Sequence, residues 1–373
     1  MDRRLFLKKS LALGALALGG GSWLTACNQG VRRADLTPEE RLDDAVPRLS
    51  RKRLAILNYA SLAPSGHNSQ PWLVRIVTRN EWIVGADPER RLPAVDPDNR
   101  ELLLSLGAFV ENLALSAGAM GFETGVEVIA KQASDREVLR IRLRRAAPRP
   151  YPLDRLTHRM TVKQGHRPEE LKPGLVKALS AAADGRLYYF PRGGSHAKRL
   201  EESAVEAFRL QVARDEAQKE LAAWVRIEDD EARRGRDGLT VASLEISGLV
   251  GWWMSNFTEP LDFLNDDFRK RSVEITARLA GQGAGWLVLT SPGSSPADLI
   301  EAGRRFERLA LIAREHRLAI HPMTQCLEEE ASRKHIAEKH RPDMLPQFLL
   351  RVGYLDRYPD PVSLRRPVSW FVL

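Results

Sequence analysis

The chain has 373 residues, of which 43% are hydrophobic and 28% are charged, so it can bury a core and is not disordered throughout. Its net charge of +8 comes from basic residues that are mixed with acidic ones along the chain, which gives little support for a nucleic-acid-binding surface. Cys27 and Cys326 are the two cysteines, and two cysteines cannot build a disulfide framework or a thiolate zinc site.

The first 27 residues have the layout of an export signal. A charged start at residues 2–8 precedes an apolar run at residues 11–21 and the sequence Leu-Thr-Ala-Cys, which ends at Cys27. The apolar run is too short to span about 30 Å of hydrocarbon as a helix. The stretch Arg-Arg-Leu-Phe-Leu-Lys resembles a twin-arginine signal, and Leu-Thr-Ala-Cys resembles a bacterial lipobox. The resemblance implies a protein outside the cytoplasm, periplasmic or at the cell surface, that is attached to the membrane through acylated Cys27. The alternative is an ordinary secretory signal in which Cys27 is incidental.

After a polar tether at residues 28–47, hydrophobic periodicity predicts two runs of helices and strands. The first run has predicted elements at 51–59 (helix), 73–77 and 82–84 (strands), 99–120 (helix), and 126–130 and 138–143 (strands). The second has predicted elements at 171–183 (helix), 187–190 (strand), from about 195 (helix), 286–290 (strand), 296–316 (helix) and 348–352 (strand). A proline-rich break at 148–152 separates a first half at 48–150 from a second half at 151–373.

One internal repeat links the two halves. Residues 107–117 match residues 303–313 at an offset of 196, with six identities in eleven positions. Helices rich in Leu and Ala resemble one another by chance, so this match alone does not decide between coincidence and a duplicated α+β unit.

The stretch Ala-Pro-Ser-Gly-His-Asn-Ser-Gln-Pro-Trp at residues 63–72 is the most informative motif. It predicts a turn before an apolar strand, which would offer backbone N–H groups and polar side chains to a flat ligand. A capped surface loop would have a similar composition. The order of the residues, however, resembles the Pro-Ser-x-x-Asn-x-Gln-Pro-Trp motif of the FMN-dependent nitroreductase family. The resemblance implies that FMN is bound by Pro64, Ser65, Gly66 and Asn68.

Three further elements resemble that family. Arg155, Thr157 and Arg159 match an Arg-x-Ser-x-Lys/Arg element that holds the phosphate, ribityl chain and pyrimidine edge of FMN, and guanidinium groups suit phosphate because of their paired N–H donors. Arg365 and Arg366 resemble the family's terminal phosphate-binding arginine. The segment 321–325, which contains Thr324 and Gln325, stands where the family presents a backbone N–H to flavin N5.

The order of these motifs favours a duplicated chain. The Pro-Ser loop lies in the first half and the Arg-x-Thr-x-Arg element in the second, so the halves complement each other in one composite FMN site. This arrangement resembles the duplicated Acg-type branch of the nitroreductases, and the resemblance covers roughly residues 48–373. It implies an α+β fold with two nitroreductase-like halves, each a mixed sheet flanked by helices, that form a pseudo-dimer within a monomeric chain.

Two features depart from or extend the family pattern. Leu102 stands where a lysine is common near flavin N1 and O2, and we expect Arg100 to be its substitute. An insertion at about 228–275 resembles a lid, although Trp252 and Trp253 within it could equally pack into the core. His335, Glu338 and His340 are interpreted as a solvated helix face, and we expect no metal site.

Two functional hypotheses follow from the resemblance. In the first, the protein is an FMN-dependent oxidoreductase that passes electrons through flavin N5 to a small electron-poor acceptor such as a quinone or nitro compound, and no acid–base residue is assigned. Its electron donor is expected to be a membrane quinone pool or a redox protein. In the second, it binds and sequesters FMN with little turnover. A solute-binding lipoprotein is a third possibility, but it gives no reason for the arginine elements.

Overall fold

The computed structural model describes residues 30–36, 46, 49–245, 260–329, 332–333, 336 and 345–373. The predicted export signal with Cys27, much of the predicted tether, the central part of the predicted lid with Trp252 and Trp253, and the residues His335, Glu338 and His340 lie outside the described residues.

The first half is a four-stranded sheet with two helices. Its elements, followed by a short connecting helix, are α1 (Arg51–Ala60), β1 (Trp72–Thr78), β2 (Glu81–Ala86), α2 (Arg100–Ala119), β3 (Phe122–Val128), β4 (Glu137–Arg145) and α3 (Asp154–His158). The strands pair antiparallel in the order β1-β2-β4-β3. Trp72 of β1 stacks on Phe109 of α2 at 5.1 Å between ring centroids, so the core lies between the sheet and the helices.

The second half builds a sheet of the same kind around a long insertion. Its elements are α4 (Pro173–Ala182), β5 (Leu187–Pro191), α5 (Ser195–Ala213), α6 (Asp215–Trp224), β6 (Val225–Arg226), α7 (Asp229–Gly235), β7 (Leu239–Thr240), α8 (Asp266–Ala280), β8 (Gly285–Ser291), α9 (Pro296–Glu315), β9 (Leu318–Pro322), α10 (Gln325–Glu328) and β10 (Leu345–Tyr354). The order of the large sheet is β5-β8-β10-β9, again antiparallel. Strand β9 and helices α3, α6 and α8 are elements that the sequence periodicity did not predict.

The two halves share one topology. When the insertion between β5 and β8 and the short helix α10 are left out, each half runs helix, strand, strand, helix, strand, strand. In each large sheet the strands stand in the order first, second, fourth, third. Residues 107–117 and 303–313 occupy equivalent positions in α2 and α9, and these helices pack against each other between the sheets. The predicted α+β class with two related halves is confirmed, and the internal repeat reflects this duplication.

The end of the chain crosses from the second half to the first. Val372 forms a parallel bridge with Val74 of β1, and the N–H of Leu373 donates to the carbonyl of Val74 at 2.8 Å. The first sheet is therefore mixed at its β1 edge, while the pairs between its named strands are antiparallel. This crossing also brings the residues around Arg365 next to the loop that precedes β1.

Helix α2 is long and apolar enough to cross a membrane, but it is a core helix of the pseudo-dimer, and most of its residues are buried. Its first turn is held by Asp96, whose carboxylate accepts hydrogen bonds from the N–H groups of Glu101 and Leu102 at 3.0 and 2.9 Å. This anchor fixes where the polar start of α2 meets the second half.

Candidate functional site

A cavity of about 340 Å³ lies where the two halves meet. The loop before β1 and the first turns of α2 form one wall, and the segment after α3, the end of β9, the start of α10 and the chain around Arg365 form the other. Its volume falls within the range of small-molecule and cofactor pockets. The cavity is therefore a composite site that neither half could form alone.

Most of the residues that sequence reasoning singled out line this cavity. Eight of the twelve predicted cofactor-binding residues lie on its wall: Pro64, Ser65, Gly66, Asn68, Arg159, Thr324, Gln325 and Arg365. Four do not: Arg100, Arg155, Thr157 and Arg366.

Arginine side chains concentrate at one part of the cavity wall. Arg33, Arg159 and Arg365 all line it, and Oε1 of the buried Glu307 lies 3.3 Å from Nε of Arg159. Burial together with the Arg159 charge lowers the pKa of Arg33 to about 10, and burial together with the charges of Arg33 and Arg159 lowers the pKa of Arg365 further. The three guanidinium groups repel one another where the dielectric is low, so an anion bound in this part of the cavity would be stabilised.

Asn68 holds one of these arginines in place. Its Oδ1 accepts a hydrogen bond from Arg365 at 2.9 Å, while its Nδ2 donates to the carbonyls of Gly238 and Leu364. Arg365 also donates to the carbonyls of Leu62 and Ala63. The side-chain amide of Asn68 thus makes three hydrogen bonds inside the protein, and one of them positions Arg365.

The four residues away from the cavity have structural partners. Arg155 pairs with Glu315 at 2.5 Å on a partly exposed surface, and the carbonyl of Thr157 accepts from Arg33 at 3.3 Å. Arg366 is buried, and it donates to the carbonyls of Gln70 and Trp72 at 2.7 and 3.0 Å. Thr157 and Arg366 thereby support the site without lining it.

The expected lysine substitute is not where sequence reasoning placed it. Arg100 is buried, donates to the carbonyl of Gln347 at 2.7 Å and pairs with Glu101 at 2.9 Å, and Leu102 packs in the first core. The cavity is lined instead by Lys163. The backbone of Lys163 is held at both ends, because its N–H donates to Glu245 at 2.5 Å and its carbonyl accepts from Arg351.

Two histidines line the cavity beside Lys163. Burial and the Lys163 charge lower the pKa of His67 to about 4, although the Glu101 carboxylate acts in the opposite direction. Burial and the charges of Arg351 and Lys163 also lower the pKa of His321. Both imidazoles are therefore neutral at pH 7 and can act as hydrogen-bonding groups.

The carboxyl groups of Glu101 and Glu328 also line the cavity. Oγ1 of Thr324 is 3.0 Å from Oε1 of Glu101 and 3.1 Å from Oε1 of Glu328, and Oε2 of Glu328 accepts from Nε2 of Gln211. Burial and the nearby Glu101 charge raise the pKa of Glu328 well above its ordinary value.

Sequence reasoning missed Arg33, Lys163, His67, Glu101 and Glu328. Arg33 lies in the segment that is predicted to be a polar tether. Glu101 and His67 lie within motifs from which other residues are predicted to bind the cofactor. Lys163 follows the Arg-x-Thr-x-Arg element by four residues, and this spacing was a usable signal. Within the described ranges no group of three His, Cys, Asp or Glu side chains could hold a metal ion.

The described parts of the insertion reach the site. Leu239 and Ser243 line the cavity, and Arg226 and Arg90 both pair with Asp237 in the same region, at 3.0 and 2.8 Å. The insertion therefore supplies part of the wall, while residues 246–259 of the predicted lid lie outside the described residues.

No protein-family model matches the chain. It is similar to the probable NAD(P)H nitroreductase PigM of Serratia sp. (strain ATCC 39006), with 24% identity over 80% of this chain and 86% of PigM. It is also similar to the putative NAD(P)H nitroreductase acg of Mycobacterium tuberculosis, with 24% identity over 83% of this chain and 92% of that protein. Similarity to the crystal structure of the FMN-dependent nitroreductase NfnB from Mycobacterium smegmatis is low, at 16% identity and a TM-score of 0.37 over 58% of this chain and 94% of NfnB. The relatives that match over most of their length support a relationship between this chain and the nitroreductase family, including its Acg-type proteins.

Proposed function

We propose that this protein is an FMN-dependent oxidoreductase of the nitroreductase type with one composite active site per chain. The observation that carries the proposal is the convergence of Arg33, Arg159 and Arg365 on a cavity between two related halves. The relatives named as NAD(P)H nitroreductases, which match this chain over most of its length, support the same class of enzyme.

The residues present fit FMN. The phosphate is a dianion near neutral pH, and the three arginines form a cationic wall that Glu307 neutralises only in part. Nε of Arg365 is buried without a hydrogen-bond partner among the described residues. Beyond the arginines, the Pro64–Asn68 loop and the neutral imidazoles of His67 and His321 offer uncharged hydrogen-bonding groups.

When bound, FMN supplies the redox chemistry, because it takes up electrons from a donor and releases them to an acceptor. The chain's own residues have three tasks. Arg33, Arg159 and Arg365 hold the phosphate, and Asn68 fixes the direction of Arg365. Lys163 adds a positive charge to the cavity wall, where it favours an anionic ligand.

The acceptor in this proposal is a small electron-poor molecule such as a quinone or a nitro compound. Its electrons come from a membrane quinone pool or a redox protein, because nicotinamide donors are not freely available outside the cytoplasmic membrane. This choice depends on export, which we propose from the twin-arginine and lipobox resemblance of residues 1–27. Cys27→Ala and fractionation test the anchor: we expect the variant to leave the membrane fraction, and membrane retention of the variant would contradict anchoring through Cys27.

The test of function is the absorbance spectrum of the purified mature chain, followed by separate additions of dithionite, NADPH and a quinol analogue under anaerobic conditions. The proposal predicts a flavin spectrum that dithionite and the quinol analogue bleach. Bleaching by NADPH would instead indicate an ordinary nitroreductase. Bleaching by dithionite alone, with no acceptor turnover, would favour sequestration of FMN over catalysis.

A further inference from the structure

The hydroxyl of Thr324 lies between the carboxyl groups of Glu101 and Glu328. If both carboxyl groups were ionised, neither could donate, and the hydroxyl would have one proton for two acceptors. A threonine hydroxyl has one proton, so it can donate to only one of the two carboxyl oxygens that lie 3.0 and 3.1 Å from it. The other contact is a hydrogen bond only if that carboxyl group carries a proton and donates to the hydroxyl oxygen. Both contacts are full hydrogen bonds when one of the two glutamates is a carboxylic acid.

The surrounding partners decide which glutamate carries the proton. Glu101 accepts from the guanidinium of Arg100 at 2.9 Å, so its carboxyl group already has a cationic partner. Glu328 is paired with no cation among the described residues, and its Oε2 accepts from the neutral amide of Gln211. With the proton on Oε1 of Glu328, Glu328 donates to Thr324 and Thr324 donates to Glu101.

The charged and titratable groups around Glu328 agree with this assignment. Its own helix α10 contributes Cys326, whose thiol is buried with a pKa raised to about 12, so it is neutral. The first turn of α2 contributes the Glu101 carboxylate, which opposes ionisation, and Arg100, which favours it from the far side of Glu101. Helix α5 contributes only the amide of Gln211.

We propose that Glu328 is the catalytic acid of the reaction and that Thr324 and Glu101 return its proton, an inference that rests on the oxidoreductase function proposed above. A quinone that receives a hydride equivalent gains two electrons and one hydrogen, and it needs one further proton to become a hydroquinone. Glu328 lines the cavity, and in this step its O–H turns from Thr324 toward the bound quinone. The O–H bond of Glu328 breaks, a new O–H bond forms at the quinone oxygen, and the Glu328 carboxylate remains.

The three residues then form a path back to water. Glu101 lines the cavity and is 18% exposed, whereas Glu328 is buried, so in this proposal the replacement proton enters at Glu101 from water in the cavity. Glu101 passes this proton to Thr324, which gives its own hydroxyl proton to Glu328. Because Glu101 belongs to the first half and Thr324 and Glu328 to the second, the path depends on the docking of the two halves.

The first test does not depend on catalysis. Infrared spectra of the full chain in H₂O and D₂O are recorded for wild type, Glu328→Gln, Thr324→Val and the matched control Glu301→Gln. Glu301 lies on α9, pairs with Arg304 and Arg308, and does not line the cavity. Burial also raises the pKa of Asp96 and Glu307, so their carboxyl groups can add carbonyl absorption that every variant keeps. We expect carboxylic-acid carbonyl absorption that shifts in D₂O, is unchanged in Glu301→Gln and loses one component in Glu328→Gln. A Glu328→Gln spectrum identical to that of wild type in this region would overturn the proposal.

The second test separates proton delivery from cofactor binding. Flavin content and anaerobic reduction are measured first, and reoxidation by a water-soluble ubiquinone analogue is then followed against pH. Glu328→Gln should retain flavin and its reduction but slow reoxidation by about 10²-fold or more, the usual contribution of a general acid. Thr324→Val, which keeps both carboxyl groups, should slow it and change its pH profile. Reoxidation at the wild-type rate in both variants would contradict the relay, whereas absence of flavin from every variant and wild type would contradict the proposed function itself.

Discussion

Gly107 of α2 and Gly303 of α9 face each other where the two helices cross. A Cβ at Gly107 would lie 2.1 Å from the carbonyl oxygen of Ile300, and a Cβ at Gly303 would lie 2.0 Å from that of Leu104. These two residues are equivalent in the internal repeat, and each leaves room for the backbone of the other half. The crossing sets how closely the halves pack, and so it sets the width of the cavity between them.

Substitution at this crossing should destabilise the fold. Gly107→Ala and Gly303→Ala each place a methyl group against a backbone carbonyl that cannot move without shifting a helix, and we expect each to lower the free energy of unfolding by about 1–3 kcal/mol. The measurement is urea unfolding at constant pH. Gly174→Ala in α4, where nothing lies within 4 Å of an added Cβ, is the control and should cost nothing. Equal stability of all three variants would show that the crossing is not close-packed.

The repeat also shows how much of this architecture the sequence contained. Equivalence of residues 107–117 and 303–313 indicated the duplication, and the α+β halves followed from it. The sequence could not predict that equivalent residues of the two halves have different partners. Glu111 pairs with Arg304 and Arg308 of the partner helix, whereas its counterpart Glu307 lies beside Arg159 at the cavity. Local sequence does not reveal which long-range arginine reaches each carboxylate.

The site was predicted best where one short segment carries it. The loop around Asn68 and the arginine at 365 were recognised from the order of the motifs. Because Asn68 and Arg365 are 297 residues apart in sequence, the hydrogen bond between them could not be predicted. Lys163 was missed because Arg100 stood nearer to the expected lysine position. The structure shows that Arg100 is committed to Gln347 and Glu101.

Restoring a lysine at position 102 should damage the protein. Leu102 is 5% exposed and belongs to the first core, so an ammonium group there would lose most of its hydration. We expect Leu102→Lys to lower the free energy of unfolding by at least about 2 kcal/mol, measured by urea unfolding. Leu102→Met keeps the volume and should cost less than about 1.5 kcal/mol. A lysine variant as stable as wild type would mean that position 102 reaches solvent or the cavity.

Stability should depend on pH through His166. Burial and the Arg351 charge lower its pKa to about 3, while Nε2 makes a 2.9 Å hydrogen bond with the carbonyl of Val162. The imidazole of His166 therefore takes up a proton near pH 6.5 in the unfolded chain but only near pH 3 in the folded chain. The folded state consequently loses stability as the pH falls between these values.

Comparison of wild type with His166→Asn isolates this contribution. The difference in unfolding free energy between the two should shrink on acidification below pH 6.5 with a slope approaching about 1.4 kcal/mol per pH unit. Urea unfolding from pH 7 to pH 4 measures it. A pH-independent difference would mean that His166 titrates in the folded protein as it does in the unfolded chain.

The central claim is that the buried arginines between the two halves hold the phosphate of FMN. Titration of FMN into the flavin-free chain, followed by quenching of flavin fluorescence, tests it with wild type, Arg159→Gln, Arg365→Gln and the control Arg144→Gln, whose side chain is 79% exposed on β4. We predict that each cavity variant binds FMN about 10- to 100-fold more weakly, as expected for the loss of one charge-assisted hydrogen bond, and that riboflavin, which lacks the phosphate, does not distinguish the variants from wild type. Absence of FMN binding by wild type, or equal affinity in all four proteins, would contradict the account.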